Sequence, residues 1–164
     1  MRTKIIIVAI LIATLFVSGC IDNGIENLNK EVLNLSQSIE NGDNSYNKAV
    51  NHVNNRDFDS ANVEIGKALE NFTDAQNKTL HIIEKYSNIK EQTYKKYFKI
   101  INSELNLKYN ASNNIQTAIS YYSSGHNKTG NKYLKKANEY MDKGVASQNK
   151  RKNLVNNNSA KFKG

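Results

Sequence analysis

Residues 25 to 53 read IENLNKEVLNLSQSIENGDNSYNKAVNHV, and Leu28, Val32, Leu35, Ile39, Gly42, Tyr46, Ala49 and Val53 recur through them in alternating steps of four and three. That spacing lines one stripe of an α-helix and predicts a helix buried along one side against a neighbour. Asn41-Gly42-Asp43-Asn44 is a turn-forming sequence in isolation. Because the stripe keeps its phase through Gly42, we read a glycine tolerated at a close helix contact, at a cost of about 1 kcal/mol, with a chain break there as the other reading.

The same pattern continues outward. Asn54-Asn55-Arg56-Asp57 predicts a turn, with Asp57 or Asp59 placed to cap the next helix. That second helix runs to about Tyr86 on a stripe of Phe58, Ala61, Ile65, Ala68, Phe72, Ala75, Thr79, Ile82 and Tyr86. Asn88 followed by Glu91 predicts a capping box for a third helix. This one carries Tyr94, Phe98, Ile101, Leu105, Ser112, Ile115 and Ile119 on one face and runs to about Tyr122. Ser123-Ser124-Gly125-His126-Asn127 is the clearest turn in the chain. A fourth helix follows with Leu134, Ala137, Met141 and Val145; beyond it the apolar positions thin out, so 149–164 is expected to be a basic, flexible tail. The chain has no proline, which permits long uninterrupted helices.

Sliding the sequence by 69 residues brings its halves into register: Ala49 falls on Ala118, Val53 on Tyr122, Ala61 on Gly130, Ile65 on Leu134, Ala68 on Ala137 and Phe72 on Met141. Each half is then a helical hairpin, spanning 25–86 and 89–148, and the predicted fold class is all-α: an elongated up-down-up-down four-helix bundle made of two duplicated hairpins. Helices of about thirty residues give a rod roughly 45 Å long. The run Arg56-Asp57-Phe58-Asp59-Ser60-Ala61, followed by Lys67-Ala68-Leu69-Glu70, resembles the turn and second helix of a tetratricopeptide repeat. The period here is about twice that of such repeats. The resemblance therefore implies a helical hairpin and no peptide-binding groove.

Ahead of the bundle, Met1-Arg2-Thr3-Lys4 is a cationic start, Ile5 to Val17 is an aliphatic run, and Val17-Ser18-Gly19-Cys20 closes it. The run is shorter than the ~20 residues a spanning helix needs, as expected of a secretory signal. The segment resembles the lipobox of prokaryotic lipoproteins, in which an aliphatic residue, two small residues and a cysteine mark a lipidation site. The resemblance implies a signal peptide over 1–19, a diacylglyceryl group on Cys20, a lipid-anchored linker over 20–24, and a mature chain at the extracytoplasmic face of the cell membrane. Cys20 is the only cysteine, so no internal disulfide competes for it. Two acyl chains at about 0.8 kcal/mol per buried CH₂ would hold it stably. An uncleaved anchor helix is the alternative.

Charge divides the mature chain. Acids outnumber bases from Asp22 to Glu91, whereas from Gln92 onward only Glu104, Glu139 and Asp142 oppose a large excess of lysine. Two solvated surfaces of opposite sign are the plain explanation. The functional one is an anionic partner, phospholipid headgroups or a wall polymer, met by Lys150, Arg151, Lys152, Lys161 and Lys163. Up-down topology returns this tail to the anchored end and puts the two hairpin turns at a distal tip. There Arg56, Tyr121, Tyr122 and His126 are candidate contacts for an envelope protein. Among the Asn-x-Ser/Thr sequons at Asn34, Asn71, Asn77, Asn110, Asn127 and Asn157, only Asn127 falls at the tip and is the accessible glycosylation candidate.

The sequence holds no nucleophile elbow, phosphate-binding loop, dinucleotide fingerprint or zinc-binding cysteine pair. His81 and Glu84 are spaced to share a metal, but bundle metal sites need paired Glu-x-x-His arrangements with further glutamates, and a surface pairing accounts for them. No catalytic residue, metal or cofactor is expected. Nucleic acid is a poor partner for an exported chain whose positive charge lies mainly in one hairpin.

Overall fold

In a computed structural model the backbone is described for residues 2–162 and side chains for 24–162. The side chains of the expected signal peptide and of Cys20, and the whole of Lys163, lie outside what is described, so the lipidation expectation falls there. Among the described residues four helices make up the fold, α1 (Arg2–Asn54), α2 (Phe58–Lys85), α3 (Gln92–Ser123) and α4 (Asn127–Asn157), followed by a 3-10 turn at Ser159–Lys161. It is an all-α four-helix bundle, packed most tightly within the α1/α2 and α3/α4 pairs, with α2 against α3 joining them.

Tight packing within each pair follows from small residues on the facing stripes. Gly42 lies under the Phe72 ring, where a Cβ would sit 2.5 Å from the ring edge, and Gly130 lies under Tyr122 at 2.6 Å. No break occurs at Gly42: α1 runs through it, and all eight stripe positions from Leu28 to Val53 are buried. On α2 the stripe from Ala61 to Ile82 is buried too.

The duplication extends to backbone detail. The Asp57 amide donates to the His52 carbonyl at 2.9 Å and that of Arg56 to Val53 at 3.0 Å; their counterparts, His126 to Tyr121 and Gly125 to Tyr122, measure 2.8 and 3.0 Å. This is the paired bonding of a helix closed by a left-handed residue, and Arg56 (φ 57°) and Gly125 (φ 75°) fill that position. Asp57 then caps α2 by accepting from the Ser60 amide, whereas His126 gives α4 no side-chain cap.

Three expectations are corrected. Asn88 does not cap the third helix: Glu91 does, its carboxylate accepting from the Thr93 amide at 3.2 Å. On α4 the buried stripe passes through Gly144, and Val145 is 41% exposed. The segment expected to fray from residue 149 is helical to Asn157, because Arg151, Leu154 and Val155 continue the inward stripe. Phe162 then packs against Tyr94 and Tyr97, with ring centroids 5.0 and 5.1 Å away. The Lys161 carbonyl accepts from Tyr94 Oη and from Asn29 Nδ2, which pins the chain end beside the start of the bundled part of α1.

Candidate functional site

α1 enters the bundle at about Leu28, α2 ends at Lys85, α3 begins at Gln92, and the last turn of the chain docks at Tyr94. All four therefore meet at one end, here called proximal. Three acids of this end are already matched: Glu26 by Lys30 at 2.7 Å, Glu31 by Lys85 at 2.5 Å and Glu91 by Lys161 at 2.9 Å. The bonds from Lys161 and from Thr93 hold the Glu91 carboxyl down at about 2. Lys90, Lys95, Lys96 and Lys99, with Lys150 and Lys152 on α4, are exposed and have no ion pair among the described residues. Glu84, on the last turn of α2, is exposed and has no ion pair among the described residues either, so the surface carries a strong excess of positive charge.

Beside these lysines a cavity of about 500 Å³ opens between the end of α2, the connecting turn and the start of α3. Leu28, Ile82, Ile83, Ile89 and Phe98 line it with Tyr86 and Tyr94, Ser87 and Asn102 add neutral polar groups, and the exposed Lys95 and Lys99 stand on its rim. It exists because the connection between Tyr86 and Gln92 is not helical, so no side chain from a continuous turn fills the space between α2 and α3.

Of the basic residues expected to meet a partner, Lys150 and Lys152 are exposed, and Lys161 is exposed though paired with Glu91. Arg151 is not available. It is buried, with Nε 2.8 Å from Glu104 Oε2 and Nη2 3.2 Å from Oε1. Glu104 also accepts from Lys108 at 3.0 Å, and Lys108 reaches Asp43 of α1 at 2.7 Å. Burial pushes the Asp43 carboxyl up, against the pull of Lys108. Two acids and two bases close this cluster on themselves, with Gln148 donating to Asp43 at 3.4 Å. Its charges are matched within the cluster, so it organises the core.

At the distal end, the structure splits the expected contacts into two groups. Arg56, Tyr122 and Asn127 line a cleft of about 480 Å³ between the turns, where Phe58 stacks on Tyr122 at 5.5 Å. Tyr121 and His126 instead belong to an outer patch, with Tyr121 stacked on Tyr133 at 5.5 Å and His126 edge-on to Tyr121. Asn127 is exposed at the first position of α4. His81 lies in a groove with Glu31, Asn34, Asn77 and Lys78; among the described residues no group of three or more His, Cys, Asp or Glu side chains could hold a metal. Among the described residues, no helix is long and apolar enough to cross a membrane.

Sequence reasoning missed Lys90, Lys95, Lys96 and Lys99. Lys95, Lys96 and Lys99 share the outer face of α3 opposite Tyr94, Tyr97 and Phe98, a periodicity visible in the sequence once the start of α3 is placed beside the chain end. Compared with known protein families, curated proteins and solved structures, the chain matches none.

Proposed function

We propose that this chain is a lipid-anchored, extracytoplasmic helical module without catalytic activity, standing on its membrane with the proximal end toward anionic headgroups. The observation that carries the reading is the set of unmatched lysines at the end where the chain leaves Cys20, on α3 as well as on α4. A basic residue near an anionic leaflet contributes about 1 kcal/mol, so several acting together orient a tethered rod. The anchor sets the address and the lysines set the posture.

The test is lysine labelling by a water-soluble acylating reagent on the full chain in vesicles. In phosphatidylglycerol vesicles at low salt, Lys90, Lys95, Lys96 and Lys99 should react several-fold more slowly than Lys128 and Lys132 at the tip. The protection should vanish in high salt or in phosphatidylcholine. Equal labelling in both lipids would remove the proposal.

A second reading is favoured by the distal cleft. It mixes aromatic, amide and guanidinium groups, the composition of a recognition surface, and in this posture it faces away from the lipid. An envelope protein docked there would protect Tyr122 and Asn127 from solvent while leaving the proximal lysines unchanged.

A further inference from the structure

We propose that the proximal cavity takes one acyl chain of an anionic bilayer phospholipid, with Lys95 and Lys99 on the headgroup phosphate. The inference rests on the proximal end facing the bilayer, and it goes further by naming an inserted ligand. Its lining is mostly apolar, with Ser87 and Asn102 the neutral polar residues beside the two tyrosines, and the only charged groups among the described residues that border it are two cations, Lys95 and Lys99. That is the polarity of an amphiphile with an anionic head: a chain satisfies the floor, and a phosphate satisfies a rim that has no carboxylate of its own among the described residues. A neutral apolar peptide would leave both lysines unmatched. A polyanion without a chain would leave Ile83 and Ile89 in water.

Neighbouring exposure points the same way. Ile83 is 41% exposed on the mouth of the cavity and Leu80, one turn up α2, is 58% exposed. Apolar side chains so placed at the end of a rod cost little if that end meets lipid. Lys85 is held to Glu31 and is not among the residues that line the cavity, which leaves Lys95 and Lys99 as its cations.

The experiment uses the full chain in vesicles containing phosphatidylglycerol with a diazirine midway along one acyl chain. Photolysis should place adducts on Ile83, Ile89 or Phe98, and the phosphatidylcholine analogue should give about tenfold fewer. Lys95→Glu with Lys99→Glu should lower the yield by about tenfold, and Ile83→Glu should do so while leaving the lysine protection intact. Both sets of changes are on exposed side chains, so the bundle keeps its fold. Adducts confined to residues 1–24 or to the tip, or a yield indifferent to Ile83→Glu, overturn the proposal. If lysine protection persists in that case, only the inserted chain is refuted; if it is also absent, the posture on the membrane fails with it.

Discussion

Arg56 and Gly125 occupy one backbone position in two copies of the same turn, and only one of them is suited to it. A side chain held at positive φ costs about 1 kcal/mol relative to glycine. Arg56→Gly should therefore raise stability by about 0.5–1 kcal/mol and Gly125→Arg should lower it by about as much, read from urea midpoints. A loss of stability in Arg56→Gly would mean that the guanidinium has a holding role at the tip. Glu91 gives a second residue-level expectation. Its carboxyl titrates at about 2 in the fold against an ordinary 4.5, so the stabilisation it gives through Lys161 is complete above pH 4.5 and declines as pH falls toward 2. The ring-shifted NMR signals of Phe162 should move over that window as the last turn loosens, and Lys161→Met should shrink the transition, leaving only the part that the Thr93 bonds to Glu91 support.

At the scale of the element, the two hairpins bury the same positions with different chemistry. Leu35, Ile39 and Ile82 of the first correspond, 69 residues on, to Glu104, Lys108 and Arg151 of the second. A neutral pack and an ion cluster thus fill equivalent space. Replacing a buried cluster by apolar side chains of similar size is commonly stabilising by about 1–4 kcal/mol, whereas removing one partner costs about 3–5 kcal/mol. Glu104→Leu, Lys108→Ile and Arg151→Ile together, with Asp43→Ser to remove the fourth charge, should raise the thermal midpoint. Glu104→Leu alone should lower it sharply, because two cations lose their carboxylate. The same contrast shows what the sequence could and could not tell. The stripes of α1 and α2 are legible because the positions that recur along them are apolar or small, although Asn29 beside the α1 stripe is buried too. On α3 and α4 the stripe is written partly in charge, so Glu104, Lys108 and Arg151 looked like surface, and the last third of α4 looked like a tail. Pairing across helices cannot be seen from a single strand of sequence until the 69-residue register assigns Arg151 to the place of Ile82.

The whole molecule is a rod with a chemically distinct end on either side: lysines and an apolar cavity at the proximal end, turns with an aromatic cleft at the distal one. Its helices, turns and duplicated hairpins were legible in the sequence. The proximal lysines were only half legible, since those on α4 stand in a conspicuous run while those on α3 are interleaved with core aromatics. The orientation proposed for the rod requires a tether at Cys20, and the intact mass of the protein purified from membranes tests that proposal most directly. The expected result is a chain beginning at Cys20 and heavier than its residues by a diacylglyceryl group, with Cys20→Ser retaining residues 1–19 and carrying no lipid. A membrane-bound protein with the bare mass of its full chain would contradict both the anchor and the posture built on it.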